Sequence, residues 1–128
     1  MRAAWASLSI MAGAWSLHGF GNFSAYLKST GEWIGRAGPW MPPGWPGQEI
    51  GWAFMKRHWG RGYAREAAEA TMLWSRDTLG WDHVIHIIHP ENSASMGLAE
   101  RLGSRFEREL PPRTLDNAVP LLVFSQKF

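Results

Sequence analysis

Residues 49–79 place the tightest constraint on this chain. EIGWAFMK (49–56) alternates as a strand does, and the long segment that ends at Leu79, with Gly80 just past it, reads as a helix. Between them lies WGRGYAREA (59–67), where two glycines stand one residue apart among arginines. Burying a core does not require that order. The first N–H groups of a helix have no partner inside it and carry the positive end of its dipole. Small residues just ahead of a helix let an anion approach those groups. Gly60 and Gly62 therefore either make a tight turn among solvated arginines or open a site for an anion, most simply a diphosphate. In the second case Lys56, Arg57, Arg61 and Arg65 add charge around the rim. Neither GxxxxGK[ST] nor GxGxxG is present, so the stretch is not a Walker loop or a dinucleotide fingerprint.

The rest of the chain supplies elements to pack around this unit. Trp5, Leu8, Met11, Ala12 and Trp15 recur at helical spacing, and Gly19 and Gly21 end that helix. The opening MRAAWASLSIMAGAWSLHG has one arginine and several polar interruptions, so it reads as an amphipathic helix rather than a targeting segment. FSAYLK (23–28) and EWIGRAGPW (32–40) form an expected hairpin punctuated by Gly31. MPPGWPG (41–47), with three prolines and two glycines, is a loop. HVIHIIH (83–89) fits a buried strand that Pro90 stops. A helix capped by Asn92 or Ser93 runs to about Leu102, with Gly103 at its end. RFEREL (105–110) and AVPLLVFSQ (118–126) close the chain as strands. The expected fold class is α+β, one domain over residues 1–128 with helices around a single mixed sheet.

Composition narrows the function. With no cysteine, disulfides, thiolate metal sites and a cysteine nucleophile are excluded. Such a chain fits a reducing cytoplasm, the expected location. A net charge of +2 with few, local basic residues argues against a nucleic-acid partner, and no apolar run reaches membrane-spanning length. His83, His86 and His89 alternate on one strand and no HExxH occurs, so no metal is expected. Nine tryptophans need a core or a pocket. Trp40, Trp45 and Trp52 are candidates either for the core or for an acceptor pocket beside the proline-rich loop.

EIGWAFMKRHWGRGYAREA followed by HPENSASMGLAERLG resembles the GNAT superfamily of N-acetyltransferases, in its RimJ/RimL-like branch. The resemblance covers about residues 20–124. It implies a central, mostly antiparallel sheet flanked by helices, with acetyl-CoA as cosubstrate. Trp59, Gly60, Arg61, Gly62, Tyr63 and Ala64 match the loop that wraps the pyrophosphate in this family, although Trp59 stands where Gln or Arg is usual. Backbone amides from Arg61 to Arg65 would hold the diphosphate. Ala53, Phe54 and Met55 would bind pantetheine as a short strand, and Asn92 would hydrogen-bond that arm or only cap its helix.

The resemblance further implies direct attack by an amine, without an acyl-enzyme. Glu49 shares a strand face with Gly51 and Ala53 and is the expected base, acting directly or through water; the alternative is an exposed strand-end carboxylate. Ala99 stands where relatives often carry a tyrosine that acts as the acid, and Ser95 resembles a serine set near the sulfur; the alternative for Ser95 is a helix-terminal hydroxyl only. The expected reaction is acetyl transfer to a primary amine, either a small amine or a protein N-terminus. The alternative is a non-catalytic acyl-CoA-binding or protein-interaction module. Relatives carry a strand and a helix ahead of the segment matching residues 1–18, so the domain is read as N-terminally shortened. A homodimer or swapped assembly is then expected to cover Trp5, Leu8, Trp15 and the edge of FSAYLK.

Overall fold

A computed structural model describes residues 1–128. In chain order the elements are α1 (Arg2–His18), β1 (Phe23–Tyr26), β2 (Trp33–Trp40), β3 (Glu49–Phe54), α2 (Tyr63–Trp74), β4 (His83–Ile88), α3 (Ser93–Arg101), β5 (Arg105–Leu110) and β6 (Leu121–Lys127). Six strands form one sheet in the order β1-β2-β3-β4-β6-β5. Every neighbouring pair is antiparallel except β3–β4. The class is α+β.

Local chemistry sets the boundaries. Leu27 N–H donates to Glu32 C=O and Gly31 takes φ +75°, so the β1–β2 hairpin closes two residues sooner than the apolar pattern suggests. Lys56 begins a short 3₁₀ turn, which ends β3 at Phe54. Thr71 Oγ1 and Ser75 Oγ both bond back to carbonyls of the preceding turn, and α2 loosens into a π turn over Ser75–Leu79 before Gly80 stops it. Asn92 caps α3 by accepting from Ser95 N–H at 3.1 Å. The last strand begins at Leu121 rather than Ala118, because Pro120 has no N–H to give a ladder.

The core lies on both faces of the sheet. Ile50, Met72, Trp81 and Val84 join β3 and β4 to α2. Ile88, Ala99 and Phe124 join β4 and β6 to α3, and Ile85, Leu110 and Val123 fill the other side. Helix α1 forms as expected, but none of its residues is fully buried. Only the stretch around Met11 and Trp15 is half-buried, with Trp15 edge-on to Phe23 at a centroid distance of 5.0 Å and against Trp74, while Trp5 and Leu8 face solvent.

Candidate active site

The site begins where the sheet comes apart. Strands β3 and β4 share one ladder position, Glu49 opposite Ile85, with Ile85 N–H bonded to Gln48 C=O at 2.9 Å. In a continued parallel ladder the next bond would run from Ile87 N–H to Ile50 C=O. Side chains take both groups instead. Glu49 Oε2 accepts from Ile87 N–H at 2.8 Å, and His86 Nδ1 donates to Ile50 C=O at 2.8 Å. Each strand thus satisfies the other's backbone with a side chain, and the strands diverge without leaving buried groups unpaired.

Beyond that point β3 has a free edge. Met55 N–H donates to Ile34 C=O, so the backbone groups of Met55, Ala53 and Gly51 belong to the β2 ladder. Those of Trp52 and Phe54 point into the gap, where Trp59 Nε1 donates to Phe54 C=O at 2.9 Å. The gap opens on a cleft of about 820 Å³. Ala53, Phe54, Trp59, Gly60, Gly62, Tyr63, Ala64, Arg65, Asn92 and Ser95 all line it; Met55 and Arg61 do not. Gly60 and Gly62 have φ of +79° and +80°, and a Cβ on either would meet nothing within 4 Å. Gly62 opens α2 with no side-chain cap, so the first N–H groups of that helix are left for a ligand.

The rim is less basic than the sequence suggests. Arg57 pairs with Glu32, and Arg65 with Glu69 at 2.9 Å. Two lining groups were not legible in the sequence. His58 is buried on the cleft wall, its Nε2 3.3 Å from Glu32 Oε2 and its Nδ1 without a partner. Arg101 lies over Gly97, whose missing Cβ leaves it room. The only available signal was helical spacing, which puts Ala94, Gly97 and Arg101 on one face of α3.

A second cavity, about 350 Å³, lies on the other side of Trp52, Asn92 and Ser95, which line both spaces. Trp40 and Trp45 wall it, along with Glu49, Arg36 and Asn22. Ser95 Oγ accepts from Trp52 Nε1 at 3.2 Å, which leaves its own O–H free to donate. Ala99 is wholly buried against Ile88 and Phe124, so that position presents no acid to either cavity.

Glu49 is buried, not an exposed strand end. Desolvation raises its pKa to about 7, against the opposing pull of the Ile87 N–H, the Trp45 indole N–H at 3.0 Å and the more distant Arg36. His86 moves the other way: burial lowers it to about 4. The neutral ring donates from Nδ1 to Ile50 C=O, which makes Nε2 the acceptor from Ser104 Oγ at 2.8 Å. Ser104 Oγ in turn accepts from Gln126 Nε2 at 2.8 Å.

The family described as the acetyltransferase (GNAT) domain matches residues 1–105. The chain belongs to the GNAT acetyltransferases. Among similar proteins, "Uncharacterized protein YkkB" of Bacillus subtilis (strain 168) is 35% identical over 85 residues, 65% of this chain and 49% of that protein. "Uncharacterized N-acetyltransferase p20" of Bacillus licheniformis is 34% identical over 96 residues, 73% of this chain and 53% of that one. This GNAT chain thus spans about half the length of those curated relatives. The crystal structure of an acetyltransferase from Agrobacterium tumefaciens superposes on it with a TM-score of 0.86 at 32% identity, covering 100% of this chain and 72% of the other. No helix of this GNAT domain is long and apolar enough to cross a membrane.

Proposed function

We propose that this GNAT domain is an acetyl-CoA-dependent N-acetyltransferase that moves an acetyl group to a primary amine by direct attack in a ternary complex. The observation that carries the reading is the junction of two cavities at Trp52, Asn92 and Ser95, with Glu49 on the acceptor side. Acetyl-CoA supplies the acetyl group as an activated thioester.

The residues present fit that cosubstrate. Open Cβ space at Gly60 and Gly62 and the uncapped start of α2 suit a diphosphate, and Arg101 adds charge to the same cleft. The unpaired edge of β3 suits an amide-bearing arm, with strand-like contacts at Trp52 and Phe54. Asn92 uses Oδ1 as a cap and keeps its Nδ2 donors for a ligand. Glu49, titrating near neutrality, takes the proton of an incoming ammonium through water. Ser95, oriented by Trp52, offers its O–H toward the departing sulfur. The Asn92–Ser95 segment supports a place in the RimJ/RimL-like branch, and the lack of cysteine suits a cytoplasmic enzyme.

Thiol release from acetyl-CoA with a library of amines tests this, with CoA binding followed in parallel by calorimetry. Release that depends on an added amine is the expected result. Binding of CoA with no release by any amine would leave a binding module and overturn the transferase reading.

A further inference from the structure

The acceptor cavity contains a cation that the transfer chemistry does not need. Arg36 projects from β2 on the same sheet face as Trp40, Glu49, Gly51 and Ala53, since Arg36 pairs with Ala53 and Trp40 with Glu49. It is half-buried, and no carboxylate comes within ion-pair distance of it. One guanidinium N–H donates to Asn22 Oδ1. Asn22 is itself pinned, its Nδ2 donating to Gly38 C=O at 3.2 Å and Pro39 C=O at 3.3 Å. The guanidinium is therefore held in place by a neutral amide that leaves its charge intact. An arginine has five N–H donors, and no other protein acceptor takes any of the remaining four. A partly buried, fixed arginine whose compensating charge is only the more distant Glu49 leaves a place on the cavity wall for a ligand's anion.

The same cavity sets Glu49 apart from Arg36, at the opposite end of the β2–β3 ladder segment, four β2 residues along. Trp40 and Trp45, edge-on with centroids 6.4 Å apart, stand at the Glu49 end, with Met11 and Trp52 also on the wall. A polyamine or a plain cationic amine would meet Arg36 as a like charge. A ligand with an amine at one end and a carboxylate at the other meets both ends with opposite charge, and its body lies on indole faces. Gly51 keeps the floor between them open: a Cβ there would meet only Glu49 Cδ, at 4.0 Å.

We infer that the acceptor is a small amino acid-like molecule, whose amine enters beside Glu49 and whose carboxylate is bound by Arg36. The inference deepens the transferase reading and rests on it. The volume of about 350 Å³ suits a small molecule rather than a folded protein surface. Arg36 here is a specificity group for the acceptor and leaves the reacting atoms to Glu49 and Ser95.

Matched pairs provide the test, each an ω-amino acid against the amine that lacks its carboxylate: β-alanine and ethylamine, γ-aminobutyrate and propylamine, 5-aminopentanoate and butylamine, 6-aminohexanoate and pentylamine, with spermidine alongside. Binding to the CoA-loaded protein is measured by calorimetry, and turnover by thiol release. The expected result is that at least one carboxylate-bearing member is preferred over its partner by on the order of tenfold or more, as a charge-assisted bidentate contact provides. Arg36→Gln should bring the two members of that pair to within about threefold of each other, and Arg36→Lys should restore most of the preference. Thermal melting of both variants separates this from misfolding. Equal or better binding of every carboxylate-free partner, best binding of spermidine, or a preference that survives Arg36→Gln in a folded protein overturns the inference. If no amine is turned over while CoA binds, the transferase reading fails, and the calorimetric comparison still decides the role of Arg36.

Discussion

Glu49 holds the diverging strands through Ile87 N–H and faces the smaller cavity with the same carboxyl group. Glu49→Gln keeps the shape and removes the base. Turnover should fall by about a hundredfold or more, the limb of the pH–rate profile near 7 should vanish, and CoA affinity should barely change. Unchanged turnover with a good amine would remove Glu49 from the chemistry. The same residue shapes stability. Its folded pKa, about 7, lies above its ordinary 4.5, so the native state binds the extra proton and the associated stability is lost as pH rises through 7. His86, at about 4 against an ordinary 6.5, does the reverse: its contribution is present above 6.5 and is lost as pH falls toward 4. Each amounts to roughly 3 kcal/mol, so between pH 4.5 and 6.5 they cancel. In Glu49→Gln the stability measured by urea titration should therefore climb with pH across that window, where the parent's is flat. A flat profile in the variant would deny His86 its depressed pKa. Ser95→Ala, finally, should lower turnover by at least about tenfold with CoA affinity intact; full turnover would leave Ser95 as a partner for the Trp52 indole and nothing more.

At the level of elements, the loop before α2 and the gap between β3 and β4 act together. Gly62→Val places a branched side chain at φ +80° and into the space a phosphate would fill. Strain alone should cost about 1–3 kcal/mol of stability. Gly31→Val at φ +75°, in the β1–β2 turn and also free of neighbours, is the control for that strain. Both variants should lose stability, and only Gly62→Val should lose CoA affinity; equal affinities would move the diphosphate elsewhere. The strand–glycine–helix order that frames this site was readable because each part is local: alternation, two glycines, a helical run. Glu49 could be picked out the same way, from its place on the strand. What made it a buried, near-neutral carboxyl was not readable, since the burial that raises it is set by the whole fold, and of the two donors that oppose the shift one, Ile87, is 38 residues away and the other is the Trp45 indole. His86 alternates like any strand residue, and only the fold brings Ile50 and Ser104 to its two nitrogens. Arg36 gave no signal at all, because an arginine on a strand acquires meaning only from who fails to pair with it.

Across the whole molecule, helix α1 carries more large exposed apolar side chains than any other element, and β1 leaves one edge of the sheet open. Trp5 and Leu17 of α1 are 71% and 82% exposed, Leu8 and Ile10 are exposed as well, and β1 is an outer strand of the sheet. Exposed apolar patches beside an unpaired strand favour association. This chain should form a dimer at low micromolar concentration in light scattering, and Trp5→Glu with Leu8→Glu should return it to monomer. A parent that stays monomeric and well folded excludes that assembly.

The parting of β3 from β4 also inverts how this sheet should exchange its amide hydrogens with solvent. In most sheets the central strands hold the slowest amides, because every N–H there is locked in a ladder. Here Trp52 and Phe54, in mid-sheet, direct their N–H groups into the cleft, while Ala53 between them and Met55 just beyond give theirs to β2. Hydrogen exchange along β3 should therefore alternate, fast at Trp52 and Phe54 and slow at Ala53 and Met55, and saturation with CoA should erase the alternation. Slow exchange at Trp52 in the free protein would mean that the gap is closed in solution. If the alternation holds, the amides at the centre of the sheet report on ligand occupancy one residue at a time.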